Sequence, residues 1–412
     1  MHAEINLVNV YSYLVPIAIG MIVLETLYCF FAKKNFISFA DAITNIGTAI
    51  GNQCVNLLVA YVVIVSFEWV YQFRFFTMPT TVINFLILLT LFDFLFYWFH
   101  RHGHSINILW AAHMPHHTSE EMNIFVGIRA SITQRLFSFT YMWPLALLGF
   151  RPEAIYAASA VQLIIALWHH TRVIGKMGWF EILFNSPSYH RVHHAINKKY
   201  LDKNFGEIFI IWDKLFGTCV KEDEPVVFGA LTPIHSWNPN KIYTHFWGFL
   251  FEDMMKTKSW WDKIRLWFMP LGWRPEDVRH IQRVRVDAET LVKFDTHVAF
   301  ASKVYLVIQA MMGLGLMAFT INLKLPLTVS DRLVLTAILW MMITSWGYII
   351  ENKIRVLHME FLRLVLSAAA FLYLASNNSF LEAHMNIIHL VLASSLVFLL
   401  GWGLAVAKRE VA

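Results

Sequence analysis

Apolar residues in this chain do not alternate with polar ones; they come in long uninterrupted runs, and polar residues crowd between them. Runs of roughly 18 to 24 largely uncharged residues fall near 11–31, 46–67, 80–99, 304–321, 333–350, 357–376 and 384–406, each about long enough to cross a hydrocarbon core as a helix. A further apolar stretch, 136–168, is broken by "GFRPE" at 149–153. Gly149, Arg151 and Pro152 there are turn chemistry, so the stretch predicts two shorter helices in a hairpin that enters the bilayer without fully crossing it twice. The first run lacks a basic leader and a small-residue cleavage site, which predicts a retained helix and a chain that starts near Met1. No repeat or low-complexity tract interrupts this plan. The expected fold is an all-α, multi-pass transmembrane bundle: N-terminal membrane helices over 1–99, a polar, histidine-rich region with the membrane hairpin over 100–296, and a C-terminal helix bundle over 297–412.

Composition strengthens the membrane reading. Hydrophobic residues make up 57% of the chain and charged ones only 15%, far from the balance of a water-soluble domain. Lys33, Lys34, Arg101, the many Lys and Arg of 170–296, then Lys353, Arg355, Lys408 and Arg409 all fall on one side if the runs alternate across the bilayer. The opposite loops carry only Arg74, Lys324 and Arg332, so the basic side is expected to face the cytosol. The +5 net charge is then a consequence of topology, and nucleic-acid binding is not expected. Cys29, Cys54 and Cys219 have no paired spacing and imply no disulfide framework. Trp260, Trp261, Trp267 and Trp273 are interspersed with Lys and Arg, a pattern suited to a surface lying on headgroups.

The polar gaps carry the chemistry. "HRHGH" (100–104), "HMPHH" (113–117) and "HRVHH" (190–194) are three tight imidazole clusters at one membrane depth. His100 and His104 are four apart and share a helix face. His113, His116 and His117, like His190, His193 and His194, have i, i+3, i+4 spacing, which predicts three nitrogens on one stripe. Eight imidazoles exceed the three or four protein ligands one metal usually takes, so two metals fit the count better. His169 and His170 end the apolar hairpin at the same depth, and only one of the two can face the cluster. The isolated histidines, among them His2, His235, His245, His280, His297, His358, His384 and His389, read as ordinary surface or core residues. Asp93 is an ionisable group inside an apolar run and shares a face with His100, which predicts that it accepts from the free ring N–H of a metal ligand. Glu120 in "TSEEMN" (118–123) is a second candidate near the metals, while Thr118 and Glu121 match a capping box that would open a helix.

Three stretches, "DFLFYWFHRHGHSINILWAAHMPHH" (93–117), "WHHTRVIGKMGWFEILFNSPSYHRVHH" (168–194) and "DKNFGEIFIIWDKLFGT" (202–218), resemble the fatty acid hydroxylase/sterol desaturase superfamily of membrane di-iron enzymes, and within it the alkylglycerol monooxygenases. The resemblance implies that His100, His104, His113, His116, His117, His190, His193 and His194 are metal ligands, with His170 the ninth; His169 has no counterpart. Ser105 and Arg172 depart from the pattern, since an acidic residue is expected at each position.

By that resemblance the chain is a monooxygenase in which two iron ions held by neutral imidazoles use O2 on an unactivated C–H bond of a lipid. An ether lipid such as an alkylglycerol would be hydroxylated next to its oxygen and fall apart to an aldehyde. The chain has no haem, flavin, nicotinamide or iron–sulfur motif, so reducing equivalents come from an external donor, tetrahydrobiopterin or a redox protein. The alternatives are hydroxylation or desaturation of a fatty acyl chain or sterol with a redox-protein donor, and a zinc-organised membrane scaffold or transporter. Against transport, the clusters sit at one membrane face and not at the midplane. The expected setting is an integral membrane position, in a bacterial cytoplasmic membrane or the endoplasmic reticulum, with the active site on the cytosolic face.

Overall fold

The computed structural model describes residues 10–322, 324–352 and 356–410; Met1, His2, Lys353 and Arg355, named above, lie outside them. Helices account for the architecture. They are α1 (Val10–Phe31), α2 (Phe39–Tyr71), α3 (Val82–Gly103), α4 (Asn107–His117), α5 (Ile124–Gly127), α6 (Arg135–Tyr141), α7 (Trp143–Leu147), α8 (Pro152–His169), α9 (Pro187–His193), α10 (Ile211–Leu215), α11 (Pro239–Lys256), α12 (Trp260–Arg265), α13 (Phe300–Ile321), α14 (Val329–Ile350), α15 (Val356–Asn377), α16 (Ser379–Ala383) and α17 (Met385–Glu410). Extended backbone among the described residues is limited to isolated bridges such as Phe184 with Phe209.

Each predicted run forms a helix. Five of them, α2, α3, α13, α14 and α15, are long and apolar enough to cross a membrane, while the apolar parts of α1 and α17 are shorter, Pro16–Phe31 and Ile388–Gly403. The chain is an integral membrane protein. Large apolar side chains stand outward on these helices, Phe30 at 75% exposure and Ile83 at 71% among them. In water they would be an aggregation hazard; against lipid tails they cost nothing. The predicted hairpin is more broken than expected: its first arm is split into α6 and α7, and only the second, α8, is a continuous helix. The turn between them is as read, because Gly149 has φ of +97°, Arg151 is extended and Pro152 opens α8.

The chain forms two compact units. One contains the chain up to Ser38, Leu58–Ile234 and Tyr243–Lys293, and it holds all three histidine clusters. In it, Leu88, Phe92, Leu145, Phe150 and Ile155 pack as one apolar cluster. Trp267 and Trp273 pack against Ala111, Leu250 and Leu266, so only Trp260 and Trp261 of the predicted interfacial set stand well exposed, at 79% and 64%. The other unit contains Phe39–Leu57, His235–Ile242 and the chain from Phe294 on. Its core is built from Ile50, Leu306, Leu339, Ile343 and Trp346, and it encloses an ionic cluster in which Arg363 donates to Glu360 at 2.7 Å and to Gln309 at 3.0 Å.

Candidate metal centre

The histidine clusters are brought together by short helices with clear local causes. α3 carries His100 at its last turn and His104 at its C-cap. α4 begins three residues later and carries His113, His116 and His117 along its second half. α9 is opened by Ser186, whose hydroxyl accepts from the Tyr189 amide, and by Pro187 at the first helical position; His190 and His193 follow on it and His194 caps it. His170 caps α8.

The nine histidines then sort into two groups. His100, His104, His113, His117 and His193 form one; His116, His170, His190 and His194 form the other. The i, i+4 pairs stay together, but the i+3 residue of each triplet does not stay on its predicted stripe: His116 leaves the α4 pair for the α9 group, and His193 leaves the α9 pair for the α4 group. This exchange follows from helix geometry, since the i+3 side chain points about 60° away from that of i and toward the facing helix. Neither group is complete without both helices.

Inside each group the Nε2 atoms converge. His100 and His113 are 3.1 Å apart at Nε2, His113 and His117 2.9 Å, His104 and His117 3.2 Å. In the second group His170 Nε2 is 2.9 Å from that of His190, and 3.2 Å from those of His116 and His194. The Nε2 of His193 is buried and has no hydrogen-bond partner. The opposite ring atoms show that two of these contacts, His100–His113 and His116–His170, are not ordinary hydrogen bonds. Nδ1 lies 2.9 Å from the Phe205 carbonyl in His100, 2.9 Å from the Arg129 carbonyl in His116, 2.8 Å from the Ala166 carbonyl in His170 and 3.0 Å from the Lys203 carbonyl in His193. His113 Nδ1 meets Gln134 Oε1 at 2.9 Å. A carbonyl only accepts, so in these five rings Nδ1 carries the proton and Nε2 presents a lone pair, which makes the His100–His113 and His116–His170 contacts lone pair to lone pair. Lone pairs about 3 Å apart repel unless a cation sits between them. Nitrogens at about 2.1 Å from a common ion are roughly 3.0 to 3.4 Å from one another, which is the spacing found. Burial also holds the His113, His117, His190, His193 and His194 rings far below the usual histidine range and pushes His116 down to about 4, so all are neutral and ready to bind a metal near pH 7.

The two carboxylates singled out in the sequence stand elsewhere. Asp93 does not touch a histidine ring: its carboxylate accepts from the Ile208 and Phe209 amides at 2.8 and 3.0 Å and from the Trp212 indole at 2.9 Å, tying α3 to the loop before α10. Glu120 is outside every group of metal-ligating side chains among the described residues. The capping box does not form either, since Thr118 ends α4 and Asn123 caps α5. Glu121 instead is the buried acid of that segment, paired with Arg172 at 2.6 Å and with Lys293. Arg172 also donates to the Phe36 and Met122 carbonyls, whereas Ser105 is exposed and donates to the Arg101 carbonyl.

Sequence reasoning missed Glu25 and Glu207. Glu25 of α1 accepts from the Thr171 hydroxyl at 2.5 Å and from the Ile124 amide at 2.6 Å, beside His170. It was open to the same reasoning as Asp93, being an acid inside an apolar run. Glu207 meets His169, which lies outside both groups of the nine.

Membrane-spanning helices in the same chain as two groups of imidazoles that could hold metal define a class, the membrane proteins with histidine-cluster metal centres. The fatty acid hydroxylase family matches this chain over residues 85–218, the stretch that carries all nine histidines. Alkylglycerol monooxygenase from Homo sapiens is 31% identical over 358 residues, 84% of this chain and 79% of that protein. The protein of that name from Xenopus tropicalis is 27% identical over 95% of this chain and 87% of its own length, and an ornithine lipid hydroxylase from Rhizobium tropici is 31% identical over 32% of this chain and 40% of its own. No solved structure matches significantly. The chain belongs to the fatty acid hydroxylase family, and it is a membrane lipid monooxygenase.

Proposed function

We propose that the chain is a di-iron monooxygenase that hydroxylates an alkylglycerol-type ether lipid at the carbon next to the ether oxygen, with tetrahydrobiopterin as the reductant. The balance is one O2, two electrons and two protons per lipid, giving a hemiacetal and water; the hemiacetal then breaks to a fatty aldehyde and glycerol. The observation that carries this reading is the convergence of nine histidines, eight of them buried, in groups of five and four. The substrate follows from the likeness to alkylglycerol monooxygenases over most of the chain.

His100, His104, His113, His117 and His193 would hold one iron, and His116, His170, His190 and His194 the other. Bound there, the pair supplies O2 activation and oxidation of a C–H bond. The carbonyls of Phe205, Arg129, Ala166 and Lys203 keep four rings in the tautomer that aims Nε2 inward. Glu25 ties the segment after His170 to the segment after α4, which fixes the distance between the ligand-bearing elements. Asp93, with its three donors, holds the loop whose Phe205 and Lys203 carbonyls orient His100 and His193. The basic surface of 170–293 would face the cytosol, where a soluble donor reaches it.

Arg172 supports a second reading, hydroxylation of another membrane lipid with electrons from a redox protein. Its guanidinium offers donors only and stands where the likeness expects an acid. The test is to supply membranes containing the protein with an alkylglycerol, O2 and either tetrahydrobiopterin or a reduced redox-protein system. Fatty aldehyde formed with the pterin alone supports the first reading. No aldehyde with either donor, together with a hydroxylated product from another lipid, replaces it with the second.

A further inference from the structure

His169 and Glu207 are a buried imidazole–carboxylate pair that the nine-histidine arrangement leaves unexplained. His169 is fully buried and Glu207 is 4% exposed. Their contact, His169 Nδ1 to Glu207 Oε1, is 3.3 Å. No lysine or arginine pairs with Glu207 among the described residues, although an unpaired carboxylate this deep is costly. Its neighbour on the other side is His190. One potential ligand atom from each of His169, His190 and Glu207 lies within 4.8 Å of the other two, and the two rings lie 5.7 Å apart at their centroids.

His190 is unlike the other eight rings. Its Nε2 points into the four-histidine group, at 2.9 Å from that of His170, and its Nδ1 is buried with no hydrogen-bond partner. The rings of His100, His116, His170 and His193 satisfy Nδ1 with neutral backbone carbonyls. For His190 the polar group nearby is a carboxylate instead, with a Glu207 oxygen within 4.8 Å of one of its ring nitrogens. The loop that carries Glu207 is clamped on both sides, since Asp213 accepts from the Phe205 and Gly206 amides and Asp93 from those of Ile208 and Phe209.

We propose that Glu207, backed by His169, is a positioning residue for the four-histidine metal group and acts through His190. With metal on Nε2, a carboxylate this close takes up the Nδ1 proton of His190 by a small shift of the ring, which fixes the ring and makes its Nε2 a stronger donor, so the pair tightens metal binding in this group and leaves the five-histidine group alone. This rests on the reading that both groups hold metal.

The test is titration of the full-length protein in detergent, stripped of metal, with cobalt(II) against a competing chelator. Wild type is expected to bind two equivalents. Glu207→Gln keeps an acceptor without charge and Glu207→Met keeps neither, so the weaker-bound equivalent should lose affinity in the order wild type, Gln, Met, by about 10- to 100-fold at the end of the series. The five-histidine equivalent should not move, and Glu207→Asp should recover part of the loss. His169→Gln gives a milder loss of the same equivalent and keeps the proposal testable if a Glu207 variant fails to fold. Two equivalents of unchanged affinity in all variants, or equal weakening of both, overturns the proposal. A third equivalent in wild type that the variants lack overturns it as well, by making the pair a metal ligand itself. A wild type that binds no metal refutes the di-metal reading instead.

Discussion

Removing one ligand from each group should have unequal effects, because the groups have four and five histidines. His116→Ala leaves three imidazoles around its metal and His193→Ala leaves four. Four-ligand metal sites bind with roughly 10–16 kcal/mol, so a single ligand is worth about 3 kcal/mol, or about 100-fold in Kd. Three imidazoles satisfy an ion's minimum but leave a weak site; four form a full set. His116→Ala should therefore lower metal content to near one per chain at micromolar free metal. His193→Ala should keep most of its metal and lose turnover by distorting the remaining coordination. The assay is metal content by mass spectrometry on protein purified in parallel, with substrate-dependent O2 uptake on the same samples. Two metals per chain and wild-type uptake in both variants would refute the coordination scheme, and a larger metal loss in His193→Ala would refute the division into five and four.

Stability as a function of pH provides a second check: burial lowers His116 from an ordinary value of 6.5 to about 4, so the unfolded chain binds protons first and the metal-free protein should lose stability as pH falls through that window, by about 3 kcal/mol from this ring at most, measured as a falling Tm between pH 7 and 4. Gly149→Ala should destabilise by roughly 2–3 kcal/mol, since the added Cβ would lie 2.2 Å from the Phe76 carbonyl oxygen at a φ of +97°, and thermal unfolding of the detergent-solubilised protein reads it. Arg363→Met leaves Glu360 buried without its cation and should cost about 3–5 kcal/mol in the same assay; an unchanged Tm would show that the ionic cluster is not held as described.

The membrane helices and the three histidine clusters were legible because each rests on local spacing: about twenty apolar residues make a span, and i, i+4 imidazoles share a face. The division of the nine histidines was not, because i, i+3, i+4 spacing says which side chains are near one another on a helix and not which of them turns to the facing helix. His116 and His193 exchange groups for that reason. The acids were legible as exceptions and illegible as partners. Asp93 was singled out as a buried charge, yet its donors are amides 115 and 116 residues away, on a loop that no periodicity announces. Thr118 and Glu121 satisfy a capping pattern that Asn123 and Arg172 outcompete, since Asn123 accepts from the Phe125 amide and Arg172 draws Glu121 into an ion pair. Glu207 sits in a stretch read for its likeness to a family, and the partner that gives it meaning, His169, was the histidine that likeness left without a role.

The central claim, a monooxygenase that oxidises an ether lipid at a di-iron centre, is tested most directly by the origin of the product oxygen. Iron-loaded protein would be given an alkylglycerol and tetrahydrobiopterin under 18O2, with the fatty aldehyde reduced at once to the alcohol so that its oxygen does not exchange with water. The hydroxyl added next to the ether oxygen becomes the aldehyde oxygen when the hemiacetal breaks, so the alcohol should carry one 18O and be formed in proportion to iron content up to two per chain. An alcohol that carries only solvent oxygen, or no product from protein holding two irons, would contradict the account.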